Sequence, residues 1–168
     1  AVGNHVVKGI IKPDPFNPLN MPKLNLSNSG GQFVDGIAGT GIVAEIRGKG
    51  ESNHAIGLRA DMDALPMEEE NTFAHCSKIN NVMHGCGHDG HMAILIGVAE
   101  VLSRENNFDG VVYLIFQPAE EGPGEAKPMI EAGVMEDPKI DAIIGLHIGD
   151  HPVGRGNRRL LEQALPGG

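Results

Sequence analysis

Residues 83–91, with the sequence MHGCGHDGH, gather three histidines, one cysteine and one aspartate into nine positions. Cysteine thiolates and imidazoles are ligand types that suit zinc and its neighbours among the first-row metals. The glycines between them let the backbone come close to whatever the side chains surround. A scattered His or Cys is usually an ordinary core or surface residue, whereas so dense a cluster favours one part of a metal site.

The helices that would position this cluster can be predicted from the apolar pattern. An apolar run at 92–104 has helical spacing and follows the cluster directly. Its predicted apolar face holds Ile94, Leu95, Val98, Ala99 and Leu102. Asp89 is placed like an N-cap, where a carboxylate accepts free amide protons. A second helix is predicted at 124–132, although Pro128 weakens it.

Runs of β-branched and apolar residues predict strands at 42–47, 55–59, 111–117 and 140–148. The last two runs are continuously apolar, which is typical of strands buried on both faces. Residues 48–53 are interpreted as a hairpin-like turn after the first strand. Residues 1–40 hold several prolines and show no clear strand or helix, apart from a tight turn at its glycine-rich end.

Strands that alternate with helices predict an α/β fold with a mainly parallel or mixed sheet and flanking helices. In such sheets, ligands bind beyond the carboxyl ends of the strands. The residues that could do chemistry fall at these ends or at the start of the predicted helix: Asp61, Asp63, Cys86, His88, Glu120, Glu121 and His147. We therefore expect their side chains to share one edge of the sheet.

Several of these residues also have an ordinary interpretation. Glu120 and Glu121 could be a solvated surface pair. A lone histidine in an apolar strand, such as His147, is more often a hydrogen-bonded core residue than a ligand. Asp61 and Asp63 could be turn formers or helix caps. The functional interpretation is favoured because all of these residues fall at the edge of the sheet where the predicted topology places a ligand.

The remaining histidines and the second cysteine carry weaker signals. His91 could orient a ligand or face the solvent, and His54 and His84 are interpreted as surface residues or as neighbours of ligands. Cys76 lies in a polar loop without matching partners, so it is not assigned to the site. Cys86 and Cys76 could pair in principle, but the histidines around Cys86 favour a reduced metal thiolate.

Length and composition limit the class of protein. The 168 residues suffice for one domain with a real core, and 40% hydrophobic with 21% charged residues fits a folded globular domain. A net charge of −9 argues against a nucleic-acid binder, which would show a basic face. No apolar run approaches the length of a membrane span, and no signal-peptide pattern is visible, so we expect a cytoplasmic protein without a membrane partner.

Four motifs resemble those of a known family. They are RADMDALP at 59–66, MHGCGHDGH at 83–91, FQPAEEG at 116–122 and GLH at 145–147. In this order and spacing they are similar to the metal-dependent amidohydrolases of the M20 peptidase family, in the branch of hippurate hydrolases, N-acyl-amino-acid deacylases and auxin-conjugate hydrolases. The resemblance covers roughly residues 39–149, and four linked motifs make a chance match improbable.

The resemblance implies hydrolysis of the amide bond of a small N-acyl amino acid. It also implies divalent metal, Zn²⁺ or Mn²⁺, with two ions in a complete site. The implied ligands are Cys86 as a bridging or shared ligand, His88, Glu121 and His147. Asp61 would orient a ligand, and Glu120 would be the general acid and base.

The sequence also departs from the family pattern. Family members continue through a lid and dimerisation domain, which supplies a substrate-binding His, and then return to supply a last metal-ligating His. We interpret 1–35 as an irregular segment of unclear origin, 36–150 as a partial metallopeptidase-like catalytic domain and 151–168 as a polar tail. His151 could replace the missing ligand, but no spacing supports it.

These departures predict a fragment whose catalysis is impaired when it is alone. Cys86, His88, Glu121 and His147 would still suffice for one tetrahedral zinc, so a non-catalytic metal-binding remnant is an alternative. A second alternative is a chain that needs a complementing chain, or a homodimer, to complete its site.

Overall fold

The computed structural model describes residues 33–122, 124–136 and 139–149 of the chain. Its elements are β1 (Phe33–Ile37), β2 (Gly41–Arg47), β3 (Ala55–Asp61), α1 (His88–Glu105), β4 (Val111–Gln117), α2 (Ala126–Glu131) and β5 (Ala142–Gly145). Residues 1–32 of the predicted N-terminal segment, the predicted tail at 151–168 and His151 within it lie outside the described residues.

The strands form one mixed sheet in the order β1-β2-β4-β3-β5. β3 runs parallel to β4 and β5, whereas β2 runs antiparallel to β1 and β4. The predicted α/β fold with a mixed sheet is therefore confirmed. The predicted hairpin-like turn at 48–53 is wrong, because β4 lies between β2 and β3 and pairs with both. These residues instead contact the loop before β4, where Gly48 donates its amide hydrogen to the Gly110 carbonyl at 2.9 Å.

β4 is the centre of the sheet, and each of its residues is buried, as its continuous apolar sequence predicted. Its even-numbered residues join a core cluster with Met92 and Leu95 of α1, and its odd-numbered apolar residues join a second cluster with Met129 of α2. Leu114 is fully buried, and burying a leucine contributes about 1.5–3 kcal/mol. The two clusters therefore pack against β4 from both faces of the sheet.

α1 begins at His88, four residues earlier than predicted. Gly87 occupies the N-cap with φ 81°, a left-handed conformation that glycine adopts without strain. The prediction that Asp89 is the N-cap is therefore wrong, although its charge in the first turn still complements the helix dipole. Ile94 was predicted to face the core but is 43% exposed, because the buried face runs through Met92, Leu95 and Ala99. Neither helix is long and apolar enough to cross a membrane.

The two edge strands of the described sheet differ from prediction. β5 covers only part of the predicted strand at 140–148 and is mostly exposed, so the expected burial on both faces is wrong there. The reason is its position, because within the described residues β5 pairs with β3 alone. β1 was not predicted, since Asp35 and Gly36 interrupt its short apolar pattern.

Candidate metal centre

The carboxyl ends of the parallel strands meet at one edge of the sheet, beside the N-terminus of α1. Asp61 pairs with Gln117 across β3 and β4, and Arg59 pairs with Gly145 across β3 and β5, so the three strands end nearly level. Three groups of side chains there place their ligand atoms within 4.8 Å of one another, and His88 belongs to all three. The other members are Cys86 and His147, Asp61 and His91, and Glu120 and Glu121.

His88 lies at the centre of this cluster, and its side chain is fully buried. Its Nδ1 donates a hydrogen bond to Oδ1 of Asp63 at 3.2 Å, which leaves a lone pair on Nε2. That Nε2 has no hydrogen-bond partner among the described residues, and it faces carboxylate oxygens of Asp61 at 3.6 Å and Glu121 at 3.8 Å. An unpaired buried polar group costs about 1–3 kcal/mol, so this arrangement fits a cation between the nitrogen and the carboxylates.

Cys86 and His147 form the second part of the cluster. The Cys86 sulfur lies 3.8 Å from Nε2 of His147, at the exposed side of the site. His147 donates its Nδ1 hydrogen to the backbone carbonyl of Ile148 at 2.6 Å, which leaves the lone pair on Nε2 directed towards the cysteine. A thiol and an imidazole lone pair at this separation match a donor set for a soft or borderline metal ion.

The thiol of Cys86 stands in a negatively charged environment. A hydrogen bond to Glu121, followed by burial and the charges of Glu121, Glu120 and Asp61, raises the pKa of the Cys86 thiol to about 11. Without a compensating positive charge the sulfur therefore keeps its proton. A divalent cation supplies such a charge, since it binds the thiolate rather than the thiol.

Glu120 and Glu121 follow β4 on a turn that Ala119 enters with φ 50°. This left-handed conformation costs a non-glycine residue about 1–2 kcal/mol, and such strain is often found beside functional residues. The turn is held in place because the Glu121 amide donates to Oδ2 of Asp63 at 2.9 Å. Asp63 thus fixes both the His88 ring and the backbone of Glu121 with its two oxygens.

Asp61 is buried and held by two cationic or hydrogen-bonding neighbours. His91 donates from Nδ1 to its Oδ1 at 2.5 Å, and Arg59 donates to its Oδ2 at 2.8 Å. Burial alone would raise the pKa of Asp61, but the His91 hydrogen bond and the Arg59 charge outweigh it and hold that pKa below its usual range. Arg59 also donates to Gln117 at 2.9 Å, so it ties the ends of β3 and β4 together.

His91 has both ring nitrogens engaged by the protein. Besides its bond to Asp61, its Nε2 accepts the backbone amide hydrogen of Ile148 at 2.8 Å. The ring therefore has no free lone pair for a metal ion, even though it lies among potential ligands. The group of Asp61, His88 and His91 is better described as a hydrogen-bonded network than as a ligand set.

His84, interpreted from the sequence as a surface residue or a neighbour of ligands, is partly buried. Both of its ring nitrogens are shielded and have no hydrogen-bond partner among the described residues. Burial lowers the pKa of His84, and the nearby Asp89 only partly offsets this effect. A neutral ring is therefore favoured.

The sequence-based site list is brought together in one place, but it is incomplete. Asp63 was named among the residues that could do chemistry, with a turn former or cap as the alternative, but it received no role; His91 was left open, and Arg59 was quoted only as part of a motif. A signal for Asp63 existed, since residues two apart at a strand end point to the same side. No local signal revealed the bond between His91 and Asp61, which are 30 positions apart.

Comparisons with known proteins show the family to which the chain belongs. Residues 57–160 match the model of the family described as Peptidase family M20/M25/M40. This match covers more than half of the chain, and the chain belongs to this family. The predicted resemblance is therefore confirmed.

Two curated relatives and one solved structure are among the most similar. Hippurate hydrolase of Campylobacter jejuni is 48% identical over 135 residues, which are 79% of this chain and 35% of that protein. N-acyl-L-amino acid amidohydrolase of Geobacillus stearothermophilus is 44% identical over 119 residues, 70% of this chain and 31% of that protein. A dinuclear metal-binding peptidase of the M20 family from Bacillus subtilis superimposes with a TM-score of 0.67 and 41% identity, covering 77% of this chain and 36% of that one.

The chain thus spans about a third of the length of the relatives that it matches. The fold agrees with that of the solved metal-binding relative.

Proposed function

We propose that this chain carries part of the active site of a metal-dependent amidohydrolase, which hydrolyses the amide bond of an N-acyl amino acid. The observation that supports this most is the Nε2 atom of His88, which is buried, unpaired among the described residues and faced by two carboxylates. His91, three residues further along α1, has both ring nitrogens hydrogen-bonded within the protein and leaves none for a metal ion.

The proposed ligands are Cys86, His88, Glu121 and His147, holding Zn²⁺ or Mn²⁺, with two ions in a complete site. Such an ion, when bound, polarises a carbonyl group and lowers the pKa of water. Sulfur and imidazole favour zinc, whereas the carboxylates also suit manganese, so the donor set is compatible with either.

The remaining polar residues have separate proposed roles. Glu120 is exposed beside the cluster, and its carboxylate takes a proton from the attacking water and delivers it to the departing amine. Asp61 helps to orient the site, since one of its oxygens accepts a hydrogen bond from His91 and the other accepts one from Arg59. Asp61 therefore acts through its neighbours and does not itself transfer the proton.

The proposed substrate class follows from the relatives. One is named for hippurate, which is an N-acyl glycine, and another for N-acyl-L-amino acids. Because this chain spans about a third of those proteins, we propose that full turnover requires residues from a second copy or from a complementing chain. A reducing compartment such as the cytoplasm is proposed as well, because Cys86 must stay reduced to bind metal as a thiolate.

The test is metal binding and turnover by the full 168-residue chain. Zinc and manganese are titrated by calorimetry into the wild type, His88→Ala and the exposed control His75→Ala, and hydrolysis of N-acetyl and N-benzoyl amino acids is followed. We expect wild type and His75→Ala to bind metal and His88→Ala to bind none. Slow turnover would support a site that needs a partner, whereas metal binding without any turnover would support the non-catalytic remnant.

Failure of the wild-type chain to bind either metal would overturn the proposed site. Equal binding by wild type and His88→Ala would also overturn it, since His88 is common to the three groups of side chains. Circular dichroism of each variant shows whether a loss of binding arises from unfolding instead.

A further inference from the structure

We infer that His91 is a positioning residue that holds the proposed ligand His147 in place through the backbone of Ile148. The inference rests on the proposed function, because it concerns how one of the proposed ligands is oriented. Ile148 forms two hydrogen bonds, one with each of these histidines. Ile148 donates its amide hydrogen to Nε2 of His91 at 2.8 Å, and its carbonyl accepts the Nδ1 hydrogen of His147 at 2.6 Å.

The hydrogen bond from His147 to the Ile148 carbonyl determines which ring nitrogen of His147 can bind a metal ion. With the hydrogen on Nδ1, the lone pair of His147 lies on Nε2, the atom that is 3.8 Å from the Cys86 sulfur. The direction of the ring depends on where the Ile148 carbonyl lies. His91 accepts a hydrogen bond from the amide of the same residue. The position of His91 therefore determines where the Ile148 carbonyl lies, and so how the His147 ring is oriented.

The segment that carries His147 has little other support. Residues 146–149 follow the end of β5, are exposed and belong to no strand or helix. Within the described part of the chain, their hydrogen bonds are those of Ile148 with its two histidines and the Cys86–His147 contact. Ile148 also lies against Gly90 of α1, where an added Cβ would come within 2.4 Å of its Cδ1.

His91 itself is well suited to act as a fixed anchor. Its side chain is 1% exposed, it lies on the buried face of α1, and its Nδ1 donates a hydrogen bond to the buried Asp61. Arg59 holds the other oxygen of Asp61. The connection therefore runs from Arg59 through Asp61 and His91 to the exposed segment, and each step is a hydrogen bond.

A simpler role for His91 would be to satisfy the buried carboxylate of Asp61. Two substitutions separate these roles, because the Asn amide occupies the Nδ1 side of an imidazole and the Gln amide reaches the Nε2 side. His91→Asn keeps a donor for Asp61 but loses the acceptor for Ile148. His91→Gln keeps an acceptor for Ile148 and leaves Asp61 without this donor.

The experiment compares both variants, the wild type and His75→Gln in the full chain. Hydrogen exchange of the Ile148 amide, measured by NMR without metal, reports the anchor directly. Calorimetric titration with Zn²⁺ and the thiolate-to-metal charge-transfer band with Co²⁺ report the ligand set. Thermal unfolding shows whether each variant is folded.

We expect His91→Asn to lose protection at Ile148 and to bind zinc about 10- to 100-fold more weakly, which is the usual effect of removing a residue that orients a ligand. His91→Gln should keep most of the protection and lose less affinity. Rapid exchange at Ile148 in the wild type, or a larger loss of affinity in His91→Gln than in His91→Asn, would overturn the inference.

The two proposals fail in different ways. If the wild type protects Ile148 but binds no metal, the anchor exists, and the positioning role falls together with the proposed function. If the wild type binds metal and His91→Asn binds it equally well, the proposed function stands and only the role of His91 is wrong.

Discussion

Asp63 and His88 are joined by a hydrogen bond of 3.2 Å between Oδ1 and Nδ1, and this bond directs the unpaired Nε2 of His88 into the cluster. The second oxygen of Asp63 accepts the amide hydrogen of Glu121 at 2.9 Å. One carboxylate therefore sets the direction of a proposed nitrogen ligand and the backbone position of a proposed oxygen ligand. Their relative placement does not depend on any metal being bound.

Asp63→Asn is expected to weaken metal binding about 10- to 100-fold, as removal of a ligand-orienting partner usually does. The Asn oxygen can still accept from one of the two donors, but its NH₂ group meets the other donor and cannot accept from it. Calorimetric titration with Zn²⁺ measures the change. Asp35→Asn, in exposed β1, is the matched control and should bind like the wild type. An affinity in Asp63→Asn equal to that of the control would contradict the role assigned to Asp63.

Glu120→Gln and Glu121→Gln are expected to separate proton transfer from metal binding. Glu120→Gln should retain metal and reduce hydrolysis of N-acyl amino acids by about 10²- to 10⁴-fold, because an amide cannot act as a general base. Glu121→Gln should weaken metal binding itself. Parallel calorimetry and hydrolysis assays on both variants measure the two effects. If the two adjacent residues exchanged these phenotypes, the assignment of their roles would be reversed.

Arg59→Met is expected to destabilise the fold by about 3 kcal/mol, since it leaves the buried Asp61 without one of its partners. The free energy of unfolding is measured in urea for the wild type and the variant. Arg47→Met is the matched control, because Arg47 forms an exposed pair with Glu45, whose loss should cost less than about 1 kcal/mol. Similar losses in both variants would show that Arg59 does not stabilise a buried charge.

Asp141 is expected to make stability dependent on acid pH. Its hydrogen bonds from the Ala55 amide and then from His54 hold the pKa of Asp141 below its ordinary value of 3.8, so the folded state favours the carboxylate. This contribution is present at pH values above 3.8 and is lost as the pH falls through the lower pKa of the folded state.

Asp141→Asn should therefore be less stable than the wild type near neutral pH, and the difference should shrink in acid. Urea unfolding at a series of pH values measures this, with the exposed Glu70→Gln as control. A difference between wild type and Asp141→Asn that stayed constant with pH would show that the charge of Asp141 is not involved.

The parts of the fold that could be predicted from the sequence are those with a local signal. The apolar run at 111–117 predicted a strand buried on both faces, and the run at 92–104 predicted most of α1. The order of the strands could not be predicted in the same way. Nothing within β2 or β3 indicates that β4 lies between them, because pairing depends on residues far apart in the chain.

In the site, too, local signals predicted the residue types, whereas the hydrogen bonds between distant residues could not be predicted. The residue types at the strand ends predicted that Cys86, His88, Glu121 and His147 would share one edge, because parallel strands end together. The hydrogen bonds that orient them, between His88 and Asp63 and between Ile148 and His91, join distant positions. Such bonds depend on side-chain directions that a pattern of residue types does not contain.

The side of β5 that faces away from β3, unpaired within the described residues, has a consequence for how this polypeptide behaves in solution. Within the described residues this strand pairs with β3 alone. Ile144 in β5, and Leu146 and Ile148 after it, alternate along the chain, and each residue is 44–50% exposed. An unpaired strand edge with apolar side chains is a template for joining another strand. We expect self-association that increases with protein concentration, and association at this edge would place a second molecule beside the segment that carries His147.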